Sequence, residues 1–197
     1  MYLFIINCCW HIGNAQRLNF GLKGGVGFSK ISGKGMAKMY CEAYSTGIYS
    51  TIDLDEQWRL QIEVEYNPVD LEASTDFRTY YVANSKSSGY EGKSRLYKLN
   101  FPVLINYKLS EHFSLQFGPQ YSHSMATKEH LLKNNQSAFL KNDFVLVAGG
   151  QLNSSSFFFN LRYHYGVKNV NAINDYYSWH SRQIQLGVGV KLFSNEK

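Results

Sequence analysis

Apolar and polar residues alternate along most of this chain. Stretch 58–66, WRLQIEVEY, puts Trp58, Leu60, Ile62, Val64 and Tyr66 on one face and Arg59, Gln61, Glu63 and Glu65 on the other. A period of two is the signature of a β-strand with one wet face. The pattern recurs at 18–29, more weakly at 41–52, and again at 95–109, 113–123, 157–166 and 183–192. Segment 143–152 is apolar on both faces and completes a set of eight, each about ten residues long, the length that crosses a bilayer at a tilt. Pro102 and Pro119 lie inside two of these segments, so the ladder is expected to break locally there.

The connections alternate in length. Those at 53–57, 110–112 and 153–156 are short, while 30–40, 67–94, 124–142 and 167–182 are long and rich in Ser, Asn, Lys and Gly, as solvated loops are. This alternation predicts a meander with all tight turns at one end and all long loops at the other. Short turns on one side and long loops on the other are a property of outer-membrane barrels.

Three architectures could use these stripes: a β-sandwich, a lipocalin-type barrel with apolar residues inward, or a membrane barrel with apolar residues outward. The stripe ends favour the third. Phe20 and Phe28, Trp58 and Tyr66, Phe113 and Tyr121, and Phe157 and Tyr165 bracket stripes at a spacing of eight, and Tyr97 and Tyr107 at ten. Eight residues span roughly 26 Å along a strand, or roughly 20 Å along the axis of a tilted one, close to the ~25 Å apolar band between aromatic girdles. These ten aromatics are the expected membrane-interface residues. On the other face, Lys23, Arg59, Glu63, Glu65, Lys98, Arg162 and His164 are expected to form a polar network in a lumen too narrow for a channel. The prediction is an all-β, eight-stranded antiparallel up-and-down transmembrane β-barrel.

Composition supports this. Among 197 residues there are 15 Tyr and 13 Phe but only three Pro. The formal charge of +5 is spread along the chain, so no nucleic-acid patch is expected. The start, MYLFIINCCWHIGNAQ, has an apolar run followed by small residues at Gly13 and Ala15, which reads as a signal peptide over 1–15 ahead of a barrel domain over 16–197. No basic residue precedes that run, so the expected start lies further upstream. Cys41 is the one cysteine of the expected mature chain, so no disulfide holds it together.

FGLKGGVGFS, WRLQIEVEYN, LYKLNFPVLINYKLSEHFSLQFGPQYS, and FNLRYHYGVKNV followed by RQIQLGVGVKLF resemble, in order and spacing, the strands of the PorT-like outer-membrane β-barrel family abundant in Bacteroidota. The resemblance implies residence in outer-membrane lipid, insertion by the barrel-assembly machinery, and an envelope or secretion-system protein as candidate partner. The family often stops at a final aromatic; here Phe193 is followed by four more residues.

Candidate chemistry is sparse, and no cofactor is expected. Asp175, Ser178 and His180 share a long connection, but nothing in the sequence orients them as a triad. His112, His123 and His130 lack metal-ligand spacing. Phe77, Tyr80, Tyr81 and Tyr90 lie in the connection 67–94 and mark either a binding surface or a segment folded back on the rim. The leading functional expectation is a non-enzymatic barrel displaying four loops for binding or envelope structure. The alternatives are a rim-active lipid or peptide hydrolase or acyltransferase, and a soluble barrel binding an apolar ligand.

Overall fold

The computed structural model describes residues 17–82, 89, 91–125, 131–132 and 137–195. The expected signal peptide, Tyr90 and His130 lie outside these residues. Eight strands, β1 (Leu18–Ser32), β2 (Cys41–Asp53), β3 (Trp58–Glu72), β4 (Lys93–Lys108), β5 (Phe113–Ser124), β6 (Asn142–Asn153), β7 (Phe157–Gly166) and β8 (His180–Ser194), form a closed barrel in sequence order. Every neighbouring pair is antiparallel, and β1 closes on β8 with one register shift at Phe20/Gly21.

The alternation sets the two faces of the wall. In β7 the burial switches at every residue, with Phe158, Asn160, Arg162 and His164 inside and Phe157, Phe159, Leu161, Tyr163 and Tyr165 outside. The outward face carries exposed Leu22, Val26, Ile48, Ile62, Val103, Leu146, Leu161, Leu186, Val188 and Val190. This is the reverse of a lipocalin, so the inward-apolar reading is overturned.

All three tight turns lie at one end, together with both ends of the barrel sheet. In the first, Asp55 Oδ1 accepts from the backbone N–H groups of Gln57 and Trp58, both at 2.7 Å. In the second, Ser110 Oγ accepts from Phe113 N–H at 3.1 Å. Asp and Ser supply these bonds because their short side chains reach a backbone N–H two or three residues on.

The prolines break pairing without inserting residues. Pairing of β3 with β4 lapses between Ile62↔Val103 and Glu65↔Asn100, around Pro102. Pairing of β4 with β5 lapses between Pro102↔Gln120 and Ile105↔Phe117, around Pro119. A third gap separates β2 from β3 between Ala43↔Val69 and Thr46↔Tyr66. That gap falls at Pro68, within a stretch expected to be a loop.

β3 runs to Glu72, six residues past its expected end. Beyond Tyr66 its inward positions become apolar, Val69 and Leu71, so the apolar phase flips although the strand continues. The reason lies above them. Ile31, Met36, Val69, Leu71, Phe77, Tyr81, Leu96, Leu131, Phe139, Val170 and Trp179 form one buried cluster fed by all four long connections. The long loops are therefore not simply solvated; they carry a hydrophobic core of their own.

Candidate functional site

The middle of the lumen and the cap over its long-loop end each bring chemistry-bearing residues together.

At mid-lumen, alternation points Lys23 of β1, Glu63 and Glu65 of β3 and Arg162 of β7 inward. Arg162 grips Glu63 with two parallel bonds, Nη1 to Oε2 at 2.9 Å and Nη2 to Oε1 at 2.8 Å. Lys23 Nζ donates to Glu63 Oε2 at 2.7 Å. Glu65 meets the Lys23 ammonium as an ion pair, without a well-directed hydrogen bond to either carboxylate oxygen. All four side chains are essentially inaccessible. Two cations thus neutralise two carboxylates, the condition under which charge survives burial.

The cluster continues through amides. Arg162 Nε donates to Gln116 Oε1 at 2.8 Å, Gln116 Nε2 to Gln151 Oε1 at 2.7 Å, and Gln151 Nε2 to Asn153 Oδ1 at 2.6 Å. This relay runs from the centre toward the tight-turn end. Toward the other end, His164 Nε2 donates to Gln185 Oε1 at 3.0 Å, and Gln185 Nε2 to Ser45 Oγ at 2.6 Å.

Arg59 and Lys98 do not join the cluster. Arg59 lies near the tight turns and pairs with Asp53. Lys98 lies at the other end, lining a small polar cavity with Asn67, Asn100, Gln120 and Ser122. Alternation fixes the side of the wall on which these charges lie, not their depth. The expected network also left out Gln61, Asn106, Gln116, Gln151 and Gln185, all buried inward amides. Their signal was present: each is the polar member of an alternating pair.

The ten bracketing aromatics all point outward; eight are well exposed, while Tyr107 and Phe113 are half-buried. Trp58 packs on its cross-strand partner Tyr107 at 4.7 Å between ring centres. Eight residues along, Tyr66 and Tyr97 stack at 6.3 Å. Just beyond this second pair, the outward face of the same strands carries the ion pairs Asp70–Arg95 and Glu72–Lys93. Outward charges belong in water, so the apolar belt ends between Tyr66 and Asp70.

The cap centres on Trp179, which is wholly buried. Its indole Nε1 donates to Tyr81 Oη at 2.9 Å and to the carbonyl of Lys34 at 3.1 Å. Tyr81 Oη in turn donates to that carbonyl at 2.9 Å, and burial raises its phenol pKa. Gly35 follows Lys34 with φ of +78°, and a β-carbon there would come within 2.6 Å of the Tyr81 ring. Phe77 and Phe139 pack on the indole, and the Lys34 ammonium lies over Tyr80 and Tyr177, 5.1 Å from each ring centre. Phe77 and Tyr81 are thus folded back on the rim.

Asp175 and Ser178 are exposed on the last long connection, and among the described residues no hydrogen bond joins them to each other or to His180. His180 Nδ1 instead donates to the Gly166 carbonyl at 3.1 Å, with its ring stacked on Tyr165. Among the described residues no cluster of His, Cys, Asp or Glu could hold a metal ion.

A closed eight-stranded barrel with an apolar, aromatic-edged outer surface and a charged interior is the architecture of a transmembrane barrel of the bacterial outer membrane. Residues 14–172 match the family model described as outer membrane protein beta-barrel domain, and the chain belongs to that family. Among solved structures, Ail, the attachment invasion locus protein of Yersinia pestis, aligns at 12% identity and a TM-score of 0.51, covering 91% of this chain and 100% of that one. Neisserial surface protein A aligns at 12% identity and 0.52, covering 88% and 97%. The outer membrane enzyme PagL aligns at 12% identity and 0.52, covering 86% and 98%. Identities this low speak for the fold alone. A search of curated proteins finds no match.

Proposed function

We propose that this chain is a plugged, non-enzymatic outer-membrane barrel of the PorT-like type, with its tight turns in the periplasm and its four long loops outside the cell. The loops would present one folded surface, for binding an envelope or secretion-system protein or for structure. The observation that carries this reading is the joining of all four loops around Trp179, above a lumen filled by the Glu63–Arg162 cluster. A stiff cap over a sealed interior suits display better than transport. His180 bonds the Gly166 carbonyl rather than Asp175 or Ser178, which supports the non-enzymatic part.

Fractionation and protease shaving of intact cells test the proposal. The protein should partition with the outer membrane, migrate differently when unboiled, and be cut within 73–92 but not at 54–57. It should give no open-pore conductance in planar bilayers. Recovery as a soluble monomer without detergent, or cutting at 54–57, overturns the reading. Hydrolysis of lipid or peptide that disappears in Asp175→Ala, Ser178→Ala and His180→Ala overturns its non-enzymatic part.

A further inference from the structure

At the tight-turn end the lumen opens into a cavity of about 550 Å³. Its inner reach carries an aromatic pair, Tyr49 and Phe158, packed edge to face at 5.0 Å. The Phe158 ring fits because the residue opposite is Gly189, where a β-carbon would lie 2.2 Å from the ring. Four cations line the cavity: Arg17, Arg59, Lys108 and Lys191. Asp53 serves two of them, holding Arg59 through both carboxylate oxygens and Lys108 at 3.8 Å. Among the described residues, Arg17 and Lys191 have no carboxylate within ion-pair reach, and Glu111 is the one acid among the lining residues.

The wall also holds an unmet acceptor. Asn19 is 3% exposed; its Nδ2 donates to Thr51 Oγ1 at 3.1 Å, while its Oδ1 has no partner. Uncompensated cations in a concave, low-dielectric wall concentrate positive potential and draw anions. A buried acceptor without a donor costs free energy until a ligand or water supplies one.

We propose that this mouth binds a small anion bearing a carboxylate or phosphate, its charge held by Lys191 and Arg17 and an adjacent N–H or O–H donated to Asn19 Oδ1. A peptide C-terminus and a protonated phosphate both offer that combination. The aromatic pair would receive an apolar body attached to the acid. The site depends on the barrel's own geometry and not on which way the barrel faces.

Calorimetry on the full chain folded in uncharged detergent tests this with three probes: inorganic phosphate, N-acetylphenylalanine and N-acetylphenylalanine amide. Saturable binding of either anion is expected, about tenfold weaker in Lys191→Gln, as loss of one charge-assisted hydrogen bond implies. Lys93→Gln, at the opposite end, should bind as the parent does. Binding of the acid but not the amide identifies a carboxylate ligand; binding of phosphate alone identifies a phosphate. No saturable heat with either anion, an unchanged Lys191→Gln, or an equal loss in Lys93→Gln overturns the proposal.

Discussion

The side-chain amide of Asn67 donates to the backbone carbonyl of Tyr44 at 2.6 Å. The register on either side would pair Tyr44 with Pro68, which has no N–H to give. One residue's side chain thus replaces its neighbour's missing backbone donor. Asn67→Ala should destabilise the folded barrel by about 1–3 kcal/mol, the range for stranding a buried acceptor. Urea unfolding in detergent measures it. Pro68→Ala restores the N–H, so in that background the same change should be much milder; an equal loss in both backgrounds refutes the substitution of one donor for another.

Breaking the pair at mid-lumen should be far more damaging. Glu63→Gln leaves Arg162 buried beside a neutral amide, and Arg162→Met leaves Glu63 with Lys23 as its remaining cation. Each should cost about 3–5 kcal/mol. Glu63→Met with Arg162→Met removes both charges and should cost clearly less than the two single losses together. Strict additivity in unfolding free energies would show that the two side chains act independently.

The cap predicts a local rather than global effect. Trp179→Ala empties its centre and removes the donor to Tyr81 and Lys34. A change of this kind costs about 3–5 kcal/mol in a packed core, but here it should appear as loop opening. Trypsin should cut faster after exposed Arg78, while unboiled migration of the barrel is unchanged. Loss of heat-modifiable migration would mean that the cap holds the barrel itself.

Asp70 and Arg95 lie on the water side of the belt and offer a pH test. Arg95 Nη2 donates to Asp70 Oδ2 at 2.8 Å, and this bonding holds the Asp70 carboxyl below its ordinary range. A lowered carboxylate pKa means the pair stabilises the fold fully above the ordinary value of about 4 and loses that contribution as pH falls through the lowered one. Both side chains are partly exposed, so solvent keeps the effect small. Carboxyl-carbon NMR should show the Asp70 midpoint rising in Arg95→Gln; an unmoved midpoint excludes the assignment.

Much of the barrel is legible in the chain because a period of two is local. Trp58 to Tyr66 reveals its two faces with no knowledge of its neighbours. The ends of the strands are less legible. Val69 and Leu71 reverse the apolar phase because the interior changes from polar lumen to apolar cap, and nothing nearby distinguishes that change from a strand ending. The partners of inward charges are also hidden. Glu63 and Arg162 lie 99 residues apart, and their meeting depends on the closed circumference. Trp179, Tyr81 and Lys34 come from three separate connections, so their junction leaves no mark in any one of them.

That junction also imposes an order on assembly. Trp179 belongs to the last connection, immediately before β8, whereas Lys34 and Tyr81 come from the first two long ones. The latch therefore waits for the connection that follows β7, late in the chain. A chain stopped at the end of β7 would leave Tyr81 and Phe77 without their keystone, openly displaying its unfinished state to any protease nearby.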